Sequence, residues 1–218
     1  MKYPADYKEA KRIQLSLRPK LKIVPLKKPP RLIAGVDAAF TEEKVIAAAC
    51  LYSFPELIPL EDAVAADKVS FPYIPGLLSF REGPAIMRAI QKLALKPDLL
   101  LCDGQGIAHP EGMGIASHIG VLLNIPSIGC AKSRLVGDYQ EPDISKGRCT
   151  DLIFHGKKIG MVLRTRDNVK PLFVSPGHLI DRKGAVSIVL HCVMKYRLPE
   201  PIRRADSLSK KSKLNYRG

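Results

Sequence analysis

RLIAGVDAAFTEEKVIAAACLYS, residues 31–53, decides the fold of this chain. Between Arg31 and Phe40 the side chains are small or apolar except for Asp37, and the run reads as a strand. A polar turn starts at Thr41, and KVIAAACLYS (44–53) reads as the antiparallel partner. DKVSFPYI (67–74) reads as a third strand, ended by the Pro75-Gly76 turn. Beyond it the period changes. Ile86, Ile90, Leu93 and Ala94 make one helical face, closed by Lys96-Pro97. DLLLC (98–102) is the continuous apolar run of a strand buried on both faces. Ile115, Ile119, Leu122 and Leu123 mark a second helix, ending at Asn124-Ile125-Pro126, and PSIGCA (126–131) is a further buried strand. Residues 151–174 read as two strands around the HGKK and RDNVK turns, and 178–195 as a helix. Strands first, then helices alternating with strands, imply an α/β protein with a mixed sheet and helices on its faces.

The composition is that of a globular protein: 46% hydrophobic and 26% charged over 218 residues, enough for one large domain. No apolar run approaches the roughly 18 residues of a membrane span. The N-terminal MKYPADYKEAKR has no apolar signal core, so a cytoplasmic protein without a membrane partner is expected. The five cysteines include no C-x-x-C pair, and Cys50, Cys102 and Cys130 read as core residues in a reducing compartment. The net charge of +14 is unevenly placed. Residues 1–31 carry ten basic and two acidic side chains, residues 195–218 carry eight and two, and the span between holds seventeen of each. Basic ends on a balanced body point to a polyanion, with nucleic acid foremost, though solubilising ends are the plain alternative. The expected organisation is one domain over residues 1–198, with a basic N-terminal arm over 1–31. Residues 199–218, polar and Ser-rich, are expected to form a flexible basic tail.

Two acids stand out. Asp37 shares a strand face with Ile33 and Gly35, and Asp103 ends the DLLLC strand, where open α/β sheets bind ligands. An unpaired strand aspartate is costly, and two on neighbouring strands suit a hard divalent cation. Each alone reads equally as a turn residue or a cap. Ser79-Phe-Arg-Glu82 fits a capping box, but Pro84 would then fall in the second turn, so a helix starting at Pro84 is preferred and leaves Glu82 ahead of it. Lys132 follows a buried strand as Asp103 does, a place from which a lysine can meet phosphate. His109 and His178 sit in Gly/Pro-rich turns, where histidines are usually solvated, and His118 on a helix reads as structural. The P-loop, the G-x-S-x-G elbow and the zinc deaminase signature are absent.

Five stretches then match one family in order: GVDAAF, FPYIPGLLSFREGP, LLLCDGQGIAHP, GIASHIGVLLNIPSIGCAKSRL and FVSPGHLID. They span residues 35–181, and the chain resembles endonuclease V, the deoxyinosine endonucleases. The resemblance implies a ribonuclease H-like fold, a five-stranded mixed central sheet flanked by helices, with its first three strands antiparallel. It implies Asp37, Glu82 and Asp103 as ligands of Mg²⁺, for which Mn²⁺ would substitute, with Lys132 and His178 as further catalytic residues. Tyr73, with Pro72, Ile74 and Pro75, corresponds to a wedge that fills the gap left by an extruded inosine. Gly76, Leu78, Gly104, His109, Ile115 and Leu135 fall where the base pocket is expected. The implied reaction is hydrolysis of the second phosphodiester 3′ to deoxyinosine in damaged DNA, leaving 3′-hydroxyl and 5′-phosphate ends. A monomer is expected. Inosine-containing RNA is the alternative substrate, and a non-catalytic nucleic-acid-binding module the alternative of another class. A wedge also accounts for the prolines: unstacking a base step costs a few kcal/mol, and Pro72 and Pro75 stiffen the tip that bears this load.

Overall fold

β1 (Leu32–Phe40) and β2 (Lys44–Ser53) form the expected hairpin, paired in unbroken register from Leu32↔Ser53 to Phe40↔Val45. The computed structural model describes residues 4–216; Met1–Tyr3 and Arg217–Gly218, the ends of the two arms, lie outside the described residues. The third strand is β3 (Pro59–Lys68), antiparallel to β2, not residues 67–74. Its sequence PLEDAVAADK is poor in β-formers because it is a sheet edge: Ala63 and Ala65 face the core and the acids lie outside it. β4 (Leu99–Asp103) and β5 (Ser127–Ala131) then run parallel to β1.

These five strands, in the order β3-β2-β1-β4-β5, are the expected sheet, but the observed sheet has eight. The free edge of β5 pairs with β8 (Leu172–His178), and β7 (Lys157–Leu163) and β6 (Cys149–Phe154) follow, all antiparallel. The extension covers an edge that would otherwise expose a row of unpaired peptide groups. Residues 149–178 thus hold three strands, one to each side of both turns. The helix expected from residue 178 begins later, as α4 (Arg182–His191), capped by Asp181, whose side chain accepts from the Gly184 N–H at 2.7 Å.

Two helices cover each face. α2 (Leu78–Lys92) and α3 (Ile115–Leu123) pack Ile86, Ile90 and Ile119 on Val36, Leu51 and Leu100. α4 and α5 (Glu200–Lys213) pack Ile188, Val189 and Ile202 on Ile33, Leu99 and Leu101. α2 starts six residues before Pro84, which lies inside it, so Glu82 is a helical residue. Leu77 is the N-cap and Ser79 makes no capping bond.

α5 overturns the flexible tail. Its buried side, Pro201, Ile202, Ala205 and Ser209, has one large apolar side chain, Ile202, and is otherwise small, so the helix lies close on the sheet. At Gly35 of β1 any Cβ would come within 2.1 Å of the Pro201 carbonyl carbon, so the strand needs glycine there. Arg204 fastens the helix by a bidentate pair with Asp62 at 2.7–3.0 Å. The N-terminal arm is ordered too. α1 (Tyr7–Leu17) begins at Asp6, whose carboxylate accepts from Glu9 N–H while Glu9 accepts from Ala5 N–H, both at 2.8 Å, a reciprocal cap. Ala10 buries against Phe71, Leu77 and Phe80, with Ile13 alongside.

Candidate active site

Asp37 and Asp103 each lie one residue beyond the paired Val36 and Cys102, on adjacent parallel strands. Strand alternation puts them on the side of Ile33, Leu99 and Leu101, which is the side α5 covers. That helix brings a third carboxylate. Oxygens of Asp37, Asp103 and Asp206 lie within 4.8 Å of one another. Lys132, just after β5, reaches Asp103 Oδ2 at 2.5 Å and Asp206 Oδ1 at 3.6 Å, and Arg197 donates to the Lys132 carbonyl at 2.9 Å. Lys210, one turn along α5, donates to both oxygens of Asp206 at 2.8 Å.

The electrostatics show a cluster built for more positive charge than the chain supplies. Burial, and then Asp103, push Asp37 up to about 7. Burial, then Asp37 and Asp103, push Glu82 up to about 8. Burial also opposes ionisation of Asp206, but Lys210 and Lys132 outweigh it and hold that carboxyl below its usual range. For Lys132, burial works against the ammonium, and Asp103 more than restores it. An all-oxygen donor set of this spacing, beside carboxyls that burial and then like charge push upward, fits a hard divalent cation.

Glu82 lines the same cavity but lies outside the tight group of three, because it arrives from α2 on the opposite face of the sheet. Asp206 is the residue that sequence reasoning missed. The one signal for it was the helical spacing of Ile202, Ala205 and Ser209 in a segment otherwise polar. His178 is not at the site. It ends β8 opposite Ser127, at the far end of β5 from Lys132, and is buried. Its Nδ1 accepts from the Lys22 N–H at 3.2 Å, so it ties down the chain after α1. His118 is buried as expected, its ring edge on Phe80 at 4.9 Å.

Asp37, Glu82 and Asp103 line a cavity of about 380 Å³. Gly76, Leu78, Gly104, His109, Ile115 and Leu135, the six positions expected to form a base pocket, all line it, with Met113 and Arg134. At its mouth stands Tyr73, 67% exposed, between the exposed Pro72 and the half-buried Ile74. Leu77 N–H bonds the Ile74 carbonyl at 2.9 Å, which makes Ile74-Pro75-Gly76-Leu77 a type II turn with Gly76 at φ +81°. Phe71 and Ile74 anchor this loop in the small core beneath α1. Tyr73 is thus held out in solvent on a fixed stem. His109 Nδ1 accepts from Glu111 N–H at 3.1 Å, so its proton sits on Nε2 and is donated to the Gly76 carbonyl at 3.0 Å. Burial lowers this histidine to about 4, which keeps it neutral.

The sequence model of the family described as Endonuclease V matches residues 15–207. The endonuclease V of Geotalea uraniireducens is 49% identical over 201 residues, 92% of this chain and 86% of that one. Among solved structures, the endonuclease V of Streptomyces avermitilis superposes with a TM-score of 0.95 at 39% identity, covering 99% of this chain and 96% of the other. Ciona intestinalis endonuclease V, in complex with a 24mer DNA containing an inosine followed by a ribo-adenosine, gives a TM-score of 0.84 at 29% identity, covering 96% and 98%. No helix among the described residues is long and apolar enough to cross a membrane. Sequence, fold and acidic cleft agree: the chain belongs to the endonuclease V family of metal-dependent DNA repair nucleases.

Proposed function

We propose that this nuclease recognises deoxyinosine turned out of the helix and hydrolyses the second phosphodiester 3′ to it, with Mg²⁺ as its cofactor and Mn²⁺ as a substitute. The observation that carries the proposal is a single cavity of about 380 Å³ lined both by the carboxylates and by the expected pocket residues, with an exposed tyrosine beside it. A base inside a duplex presents only its edges, so an enzyme that must identify it takes it out of the stack. Tyr73 then fills the gap, and the recess between Gly76, Leu78, His109 and Leu135 receives the base. That a relative was solved with inosine-containing DNA supports the same substrate here.

Asp37, Asp103 and Asp206 would hold the cation, with Glu82 beside them. When bound, such an ion supplies an activated water and stabilises the leaving oxygen. The chain's own part is to orient. Lys132, 2.5 Å from Asp103, places its ammonium where a phosphate oxygen meets both carboxylate-bound charge and a hydrogen-bond donor. The products would carry 3′-hydroxyl and 5′-phosphate ends, with the base left in place. The enzyme would act as a monomer in the cytoplasm, where its five free cysteines stay reduced. Parallel incision of single-inosine DNA and RNA strands, with Mg²⁺ and with EDTA, tests the reading. Preferred cutting of the DNA one bond past the adjacent linkage, abolished by EDTA, is expected. A stronger cut in RNA would transfer the activity to that substrate, and no inosine dependence would overturn the reading.

A further inference from the structure

Gln14 is polar, fully buried, and lies on α1, outside every stretch that carries the chemistry. Its Nε2 donates to the Gly76 carbonyl at 2.9 Å and to the Met113 carbonyl at 3.2 Å. Both residues line the cavity from different loops: Gly76 sits in the turn that follows Tyr73, and Met113 in the loop before α3. The Gly76 carbonyl also receives His109 Nε2, so two donors from two elements converge on one oxygen. A second tie runs alongside, Lys11 Nζ to Glu111 Oε1 at 2.5 Å, again from α1 to the loop before α3.

We propose that Gln14 is a positioning residue that fixes the distance between these two loops of the base pocket and so sharpens its discrimination. The inference rests on the proposed reading of that cavity as the base pocket. Both N–H bonds of one planar amide point at carbonyls of two different loops, which only the His109 bond to Gly76 otherwise joins at this carbonyl. The other half of the amide argues against a role in stability alone. Gln14 Oε1 is buried with no hydrogen-bond partner, a penalty that an apolar side chain of equal length avoids. Turning the amide over would face its oxygen to two carbonyls, so the orientation is fixed. Glutamine here costs something in packing and gains two oriented donors.

Gln14→Met keeps length and apolar contacts and removes both donors and the orphan oxygen. Its melting temperature should match or exceed that of the parent. Amide exchange across residues 73–78 of the free protein should quicken. The single-turnover preference for inosine over undamaged DNA should fall about threefold to tenfold, the worth of one hydrogen bond. Adding His109→Leu removes the last donor to the Gly76 carbonyl and should cost more than the two single losses combined. Leu17→Ala, on the same helix but away from the cavity, should lower the melting temperature without touching the preference. A Gln14→Met protein that melts lower yet keeps its preference, or whose 73–78 amides exchange as before, would overturn the proposal. If the parent itself shows no inosine preference, the reading of the cavity fails, and the exchange experiment still decides whether Gln14 clamps the turn.

Discussion

The two ends of this chain carry similar sequences and do different work. Both are basic, polar and amphipathic, and both fold into helices, α1 and α5. α1 packs on loops: Ala10 and Ile13 shelter Phe71, Leu77 and Phe80, and Gln14 reaches the turn under Tyr73. α5 packs on the sheet itself, over Gly35, Ala48 and Cys50, and delivers Asp206 to the acids of β1 and β4. On the proposed reading the N-terminal helix would serve recognition and the C-terminal helix the metal. Net charge alone could not separate these roles, because the charge of α5 is largely spent inside the fold. Arg203 pairs with Glu200, Arg204 with Asp62, and Lys210 with Asp206. A tail that only gathered DNA could be removed without loss of chemistry. This one cannot.

The division can be broken most severely at the acids. Asp103→Ala should abolish incision while the fold and the binding of inosine DNA in Ca²⁺ persist. Asp206→Ala should lower metal affinity and incision by about 10–100-fold, the scale of losing a group that orients a metal site. Full activity of Asp206→Ala at limiting Mg²⁺ would return α5 to a merely structural role. Gly35→Val strikes the same helix from beneath. Pushing the Pro201 backbone off β1 should cost about 1–3 kcal/mol of stability, as overpacking does, and incision should fall because Asp206 moves with it. Unchanged urea unfolding would mean α5 is not seated as described.

At the other end, Tyr73→Ala should weaken binding to inosine DNA by about 1–3 kcal/mol, one lost base-stacking contact, measured by fluorescence anisotropy. Single-stranded inosine, already unstacked, should suffer less, and an equal loss on both substrates would contradict the wedge. The smallest expected effect is on stability without a cation. The Glu82 carboxyl is raised from its usual 4.5 to about 8, so the folded state binds more protons than the unfolded one between those values. Its contribution therefore declines as pH rises through that window. In EDTA, Glu82→Gln should flatten the fall in melting temperature between pH 5 and pH 8. A variant that melts lower at pH 8 than the parent would contradict the raised Glu82 carboxyl, which burial and then Asp37 and Asp103 produce.

The five-strand core was legible because β1, β2, β4 and β5 are apolar and end at clear turns, and Asp37 and Asp103 announced themselves as costly charges on such strands. β3 was misplaced because an edge strand with acids and alanines lacks β-forming residues. The three-strand extension was undercounted since two turns imply three strands, a matter of pairing rather than of composition. His178, which the resemblance implies as catalytic, lies apart from the acids for a geometric reason: β8 runs antiparallel to β5 and carries it to the opposite end of the sheet. Asp206 escaped because helix burial here uses alanine, serine and a facing glycine, which no hydrophobic period reveals.

If α5 completes the metal site, anomalous diffraction from a crystal soaked in Mn²⁺ will show the ion there. A peak bounded by the carboxylates of Asp37, Asp103 and Asp206, with the Lys132 ammonium moved off Asp103, is predicted. A peak on Asp37 and Asp103 that leaves Asp206 paired with Lys210, or a peak elsewhere, would contradict it.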